Sequence, residues 1–145
     1  MVTFRSVEDA DLEQIGEWIE ADSDHKGKIV PRFFMPGETS YAASFVIEDA
    51  HGACMYVRQE TEGQGIRLHV QFPPRVGKRI AVALLEAYPL VAQAAKSRGF
   101  RYAIFDSTSP ALIRFMRRFG YREEYRHDFG VAGSQPVPLE SPSGS

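Results

Sequence analysis

The stretch Leu68–Tyr121, LHVQFPPRVGKRIAVALLEAYPLVAQAAKSRGFRYAIFDSTSPALIRFMRRFGY, decides how the chain is read. An alternating run ends at two prolines, a basic turn with one glycine follows, and apolar residues then recur at helical spacing. Strand, helix, strand and helix succeed one another. A strand that feeds a basic turn at a helix start is a place where a diphosphate can sit. The first amides of a helix lack partners within it, and the helix dipole favours negative charge there. A nucleotide-like or coenzyme ligand is therefore the expectation.

Within this stretch Ile80, Leu84, Tyr88 and Val91 share one helical face. Pro89 lies inside the same helix and should kink or split it near Leu85, because proline lacks an N–H and clashes with the preceding turn. Arg98-Gly99 should close the helix, with Gly99 at a C-terminal cap position. Phe100–Phe105 reads as a buried strand. Ser109 and Pro110 suit the start of a last helix ending at Phe119-Gly120, and Tyr121–Phe129 reads as a final strand.

Toward the N-terminus, Tyr41–Glu48 and Ala53–Gln59 read as strands joined around Asp49-Ala50-His51-Gly52, and Gly63-Gln64-Gly65 turns into a strand over Ile66–Phe72. Tight connections make these an antiparallel meander. Thr3–Arg5 is a short first strand. Ser6 and Asp9 have capping-box spacing before a helix that carries Leu12, Ile15, Trp18 and Ile19 on one face. Residues 21–40 read as an irregular loop or a short broken helix. Their apolar cluster, Phe33, Phe34 and Met35, either packs on the core or lines a substrate entrance.

With 145 residues and 43% hydrophobic content, the chain can bury an ordinary core as one domain over 1–131. Residues 132–145 are rich in Pro, Ser and Gly and read as a flexible tail. The net charge of -2 argues against a nucleic-acid partner. Basic residues nevertheless cluster, at Arg75, Lys78 and Arg79 and at Arg114, Arg117 and Arg118. The second cluster is either a solvated helix face or a contact for nucleic acid or an acidic partner. The single cysteine, Cys54, excludes an internal disulfide and reads as a buried small hydrophobe, and no Cys/His set has zinc spacing. Without a secretory leader or an apolar run near the ~20 residues a bilayer requires, a cytoplasmic location and no membrane partner are expected.

The element order, with VGKRIAVALLEA after a strand and SPALIRFMRRFGYRE near the end, resembles the GCN5-related N-acetyltransferase (GNAT) superfamily over Thr3–Val131, as a divergent member. The resemblance implies an α/β (α+β) fold with a mixed, mostly antiparallel central sheet flanked by helices. It also implies acetyl-CoA as acyl donor, no metal, and an amine acceptor that is a small molecule or a peptide. Many relatives pair through the late strands, so a homodimer belongs to the same expectation.

The family's coenzyme turn, Arg/Gln-x-x-Gly-x-Gly/Ala, falls on Val76, Gly77, Lys78, Arg79, Ile80 and Ala81. Only Ala81 matches strictly. Val76 replaces the Arg or Gln, and Arg79 stands where glycine lets a backbone approach phosphate. Arg79 either blocks that approach or replaces it with a charge-assisted contact, and Arg75 is placed to take over the lost cation. The family's coenzyme-contacting Asn falls on Ser109, which helix capping explains equally well. Its thiolate-protonating Tyr falls on Met116, which cannot donate a proton; Tyr121, Tyr125 or water would have to substitute.

Acyl transfer from a thioester requires a neutral amine, a polarised carbonyl and an exit for the thiolate. Amides at the end of the fourth strand hold the carbonyl in the family. Here Pro73 and Pro74 remove two donors, leaving those of Val70 and Phe72. His69 and Gln71 share one strand face, and His69 is the general-base candidate if that face meets the substrate; a hydrogen-bonded histidine without chemistry is the plain alternative. Glu48 is the second candidate. The expected function is an acetyl-CoA-dependent N-acyltransferase acting by direct attack in a ternary complex. The alternative is a GNAT-fold binding or regulatory module without acetyl transfer.

Overall fold

The computed structural model describes residues 1–37, 42–105, 114, 116–118 and 126–130. Among these described residues, six strands form one sheet in chain order: β1 (Thr3–Ser6), β2 (Ala42–Asp49), β3 (Gly52–Glu62), β4 (Gly65–Gln71), β5 (Tyr102–Phe105) and β6 (Arg126–Asp128). β4 and β5 pair in parallel, and β1–β2, β2–β3 and β5–β6 are antiparallel. Helices α1 (Leu12–Glu20) and α2 (Lys78–Ser97) belong to the same mixed, mostly antiparallel architecture. The chain divides into two compact units, Met1–Glu60 with His69–Pro89, and Thr61–Leu68 with Leu90–Ser145.

In the first unit, β1 lies against β2 with Thr3 opposite Glu48, and β2 turns into β3 with Asp49 opposite Gly52. The register shifts between Ile47 and Glu48, where Cys54 is the extra residue of a bulge. Helix α1 buries Ile15, Trp18 and Ile19 against Val7, Val46 and Tyr56. Phe34, from a single 3-10 turn at Pro31–Phe34, completes this core, and Phe33 and Met35 pack on it. Side chains of this size contribute roughly 1.5–3 kcal/mol each when fully buried. The 33–35 cluster therefore belongs to the core.

The cap before α1 sits two residues later than the spacing of Ser6 and Asp9 indicates. Ser6 is the last residue of β1, and the Asp11 carboxylate accepts the Glu8 N–H at 2.8 Å. Arg5 explains the shift: its guanidinium holds Asp11 at 2.8 and 2.9 Å, fixing the carboxylate at that position. The hydrogen bonds from Arg5 also hold the Asp11 carboxyl below its usual pKa, against a smaller opposing effect of burial.

Helix α2 runs unbroken through Pro89, so the split expected near Leu85 does not occur. Pro89 and Leu85 both lie on its exposed side, where water can reach the carbonyl that proline leaves unpaired. In the second unit the helix ends as expected. Gly99 adopts φ 95°, its N–H returns to Lys96, and the Phe100 N–H returns to Ala95 at 3.1 Å. Downstream, β5 pairs with β4 from Gly65↔Tyr102 to Leu68↔Phe105, and with β6 from Tyr102↔Asp128 to Ile104↔Arg126. A Cβ on Gly65 would lie 2.2 Å from the Tyr102 ring, so that ring requires glycine beneath it. Ser109, Pro110, Phe119–Tyr125 and the 132–145 tail lie outside the described residues.

Candidate functional site

Residues that alternate along the end of β4 share a face, and His69 and Gln71 do so here. Segments of the first unit cover both. The His69 ring meets Phe33 edge-on at 5.0 Å, and its Nε2 lies 2.6 Å from Glu60 Oε1. Arg58 donates to the other Glu60 oxygen at 3.1 and 3.2 Å and stacks its guanidinium over Phe33. Burial pushes the Glu60 carboxyl up, but the hydrogen bonds from His69 and Arg58 outweigh it and leave it below its usual value.

Gln71 is fully buried, which is unusual for an amide side chain. Its Nε2 donates toward the Phe72 carbonyl at 2.9 Å, Asp22 Oδ2 at 3.2 Å and the Trp18 carbonyl at 3.4 Å. Its Oε1 faces His25 Nδ1 at 2.6 Å. The turn after α1 brings His25 there: its N–H returns to the Asp22 carbonyl, and Asp22 Oδ1 accepts the Asp24 N–H at 2.9 Å.

Past β4 the backbone leaves the sheet through Phe72, Pro73, Pro74, Arg75 and Val76 and enters α2. The Ala81 N–H closes the first helical turn on the Gly77 carbonyl at 3.0 Å, so the amides of Lys78, Arg79 and Ile80 precede any intrahelical bond. Arg75, Val76, Gly77 and Lys78 are exposed. A Cβ on Gly77 would meet nothing within 4 Å, so the space in front of that backbone is open. Arg79 does not turn toward it. Its guanidinium grips Asp49 at 2.7 and 2.8 Å and reaches the Gly52 carbonyl at 3.1 Å. The Ile80 side chain is buried, which leaves its amide for any ligand, and Ala81 is half-buried.

The ribosomal-protein-S18-alanine N-acetyltransferase from Escherichia coli has a similar structure, with a TM-score of 0.64 over 85% of this chain and 79% of its own, at 13% identity. The GNAT domain of S. lividans PAT matches at a TM-score of 0.63 over 88% and 90%, with 16% identity. This is the GCN5-related N-acetyltransferase fold. A transcriptional regulator from Bacillus halodurans C-125 has it too, at a TM-score of 0.58 over 85% and 94%, with 18% identity. No protein-family model and no curated protein sequence matches the chain.

On the GNAT fold, the expected residues fall into a group and several outliers. Val70, Phe72, Arg75, Gly77, Lys78, Arg79, Ile80 and Ala81 follow one another from β4 into α2, with His69 at the start of the run. Phe72 is buried, and its carbonyl is taken by Gln71. Glu48 stands apart. It pairs with Arg5 at 3.1 Å and lies opposite Ala53, whereas His69 is held at Glu60. Seven residues of extended β3 separate those positions by about 23 Å, so Glu48 and His69 do not serve one substrate amine. Met116 is buried. Arg114, Arg117 and Arg118 are exposed, and Ser109 lies outside the described residues.

His25, Asp22 and Glu60 went unnoticed in the sequence, and Gln71 was read there only as sharing a strand face with His69. The spacing of Asp22 and His25 was the one local signal, as a turn that returns on itself places such a pair together. Among the described residues no group of three His, Cys, Asp or Glu side chains is placed to hold a metal. No described helix is long and apolar enough to cross a membrane.

Proposed function

We propose that the chain is an acetyl-CoA-dependent N-acetyltransferase that moves the acetyl group to a primary amine by direct attack in a ternary complex. The observation that carries this reading is the open backbone at Gly77, on an exposed basic turn between the end of β4 and the first amides of α2. Those amides and the helix dipole suit a diphosphate, and Arg75 and Lys78 supply charge beside them. His69 near the end of β4, and His25 held against Gln71, suit amine deprotonation. Cys54 suits a covalent acyl-enzyme poorly, because it is buried in the β-bulge and burial pushes its thiol up. The test is thiol release from acetyl-CoA with a panel of primary amines. Amine-dependent release supports the reading, and none with any amine class opposes it.

One observation favours a second reading. The Arg79 guanidinium, the residue at the departed motif position, is engaged by Asp49 and not offered to a ligand. A GNAT-fold binding or regulatory module without acetyl transfer fits that arrangement. Coenzyme binding without turnover would favour it.

A further inference from the structure

We infer that His25 Nε2 is the atom that takes the proton from the attacking amine, and that buried Gln71 is the positioning residue that sets it. The inference rests on the acetyl-transfer reading above. Its starting point is the orientation of the Gln71 amide. One end of that amide meets three acceptors, the carbonyls of Phe72 and Trp18 and Asp22 Oδ2, so this end is the NH2 group. The other end is therefore the carbonyl oxygen, and it lies 2.6 Å from His25 Nδ1. An oxygen that can only accept requires a proton on Nδ1. Asp22 Oδ2, 3.2 Å from the same nitrogen, is also an acceptor and requires it again. The neutral ring is thus held as the Nδ1–H tautomer, with its lone pair on Nε2.

Nε2 has no partner among the described residues, and the ring keeps 24% of its side-chain surface while Nδ1 faces a fully buried group. A wholly buried amide costs stability unless every polar atom is satisfied, and an apolar side chain would fill the position without that demand. Here both ends of the amide are used, and what they fix is one imidazole. Its place suits the chemistry. Gln71 lies between Val70 and Phe72, the two residues whose amides are candidates for holding the thioester carbonyl, and the Gly77 turn follows. His69 lies two residues further back, about 7 Å along the strand, and its Nε2 is taken by Glu60.

In the step itself, the amine nitrogen forms a bond to the carbonyl carbon and its surplus proton passes to His25 Nε2. The C–S bond breaks, and sulfur leaves as a thiolate that takes a proton from water. The imidazolium, transiently positive beside the Asp22 carboxylate, returns its proton to solvent.

The experiment compares wild type with His25→Gln and His25→Ala, using an amine found to support thiol release, with acetyl-CoA binding measured separately by calorimetry. Loss of general-base help should lower kcat about 100-fold with coenzyme affinity unchanged, and added imidazole should restore part of the rate of His25→Ala. Imidazole 15N spectra of wild type should show His25 as the Nδ1–H tautomer, and Gln71→Met should release that preference. Near wild-type kcat in His25→Gln, or an Nε2–H tautomer in wild type, overturns the role of His25 while leaving acetyl transfer intact. A wild type that neither binds acetyl-CoA nor releases thiol removes the parent reading, and His25's role with it.

Discussion

Arg79 closes on Asp49 with two parallel contacts, Nε at 2.7 Å and Nη2 at 2.8 Å, joining the first turn of α2 to the β2–β3 turn. The hydrogen bond from Arg79 holds the Asp49 carboxyl well below the usual carboxylate range. A guanidinium in this fork is committed to the fold. Arg79→Ala should therefore lower Tm modestly and leave acetyl-CoA affinity close to wild type. Calorimetry on the variant checks it; a loss of binding comparable to that of a motif cation would place Arg79 on the phosphates instead.

Gly77 should behave in the opposite way. A Cβ there meets nothing within 4 Å, and the residue adopts no left-handed backbone. Gly77→Ala and Gly77→Val should keep the wild-type Tm while weakening acetyl-CoA progressively, because added bulk stands where phosphate oxygens would approach the backbone. Equal affinity across the three proteins would mean that the coenzyme does not lie over this turn.

Gly65 carries a purely structural burden. The Tyr102 ring lies over it, with the Arg126 guanidinium 3.8 Å from the ring centroid and the Tyr102 hydroxyl donating to the Glu62 carbonyl. Gly65→Ala should destabilise the protein by roughly 1–3 kcal/mol, the usual range for forced overpacking. Urea denaturation of Gly65→Ala, Tyr102→Ala and the double variant checks it. The two changes should be non-additive, since removing the ring removes the clash.

His127 sets a pH dependence. It is buried in β6 opposite Ala103, and burial lowers its pKa from 6.5 to about 4. The unfolded chain takes up this proton near pH 6.5 and the folded one only near pH 4, so stability is complete above the first value and falls as pH drops toward the second. The loss across that window is of the order of 3 kcal/mol. Urea titrations at several pH values should show this slope in wild type and a flatter one in His127→Gln. An equal slope in both would assign it elsewhere.

Local features were legible in the sequence because they depend on neighbours along the chain. The Gly99 cap, the face shared by Ile80, Leu84 and Tyr88, and the meander of β2, β3 and β4 all follow from spacing alone. That Pro89 leaves α2 unsplit was not legible, because its effect depends on which side of α2 meets water. The cap before α1 was displaced because Arg5, from the neighbouring strand, chooses Asp11. The run from His69 to Ala81 was legible as consecutive residues leading from a strand into a helix, but its pairings were not. His25 and Gln71 lie 46 residues apart, and Asp49 and Arg79 lie 30 apart. No periodicity couples residues across such distances; only the folded chain brings them together.

Isothermal titration with acetyl-CoA, with desulfo-CoA as a control, tests the central claim most directly. The account predicts saturable one-site binding in the micromolar range that persists in His25→Gln and weakens in Gly77→Val. Absence of binding at millimolar coenzyme, from a protein whose thermal unfolding shows it to be folded, would contradict it.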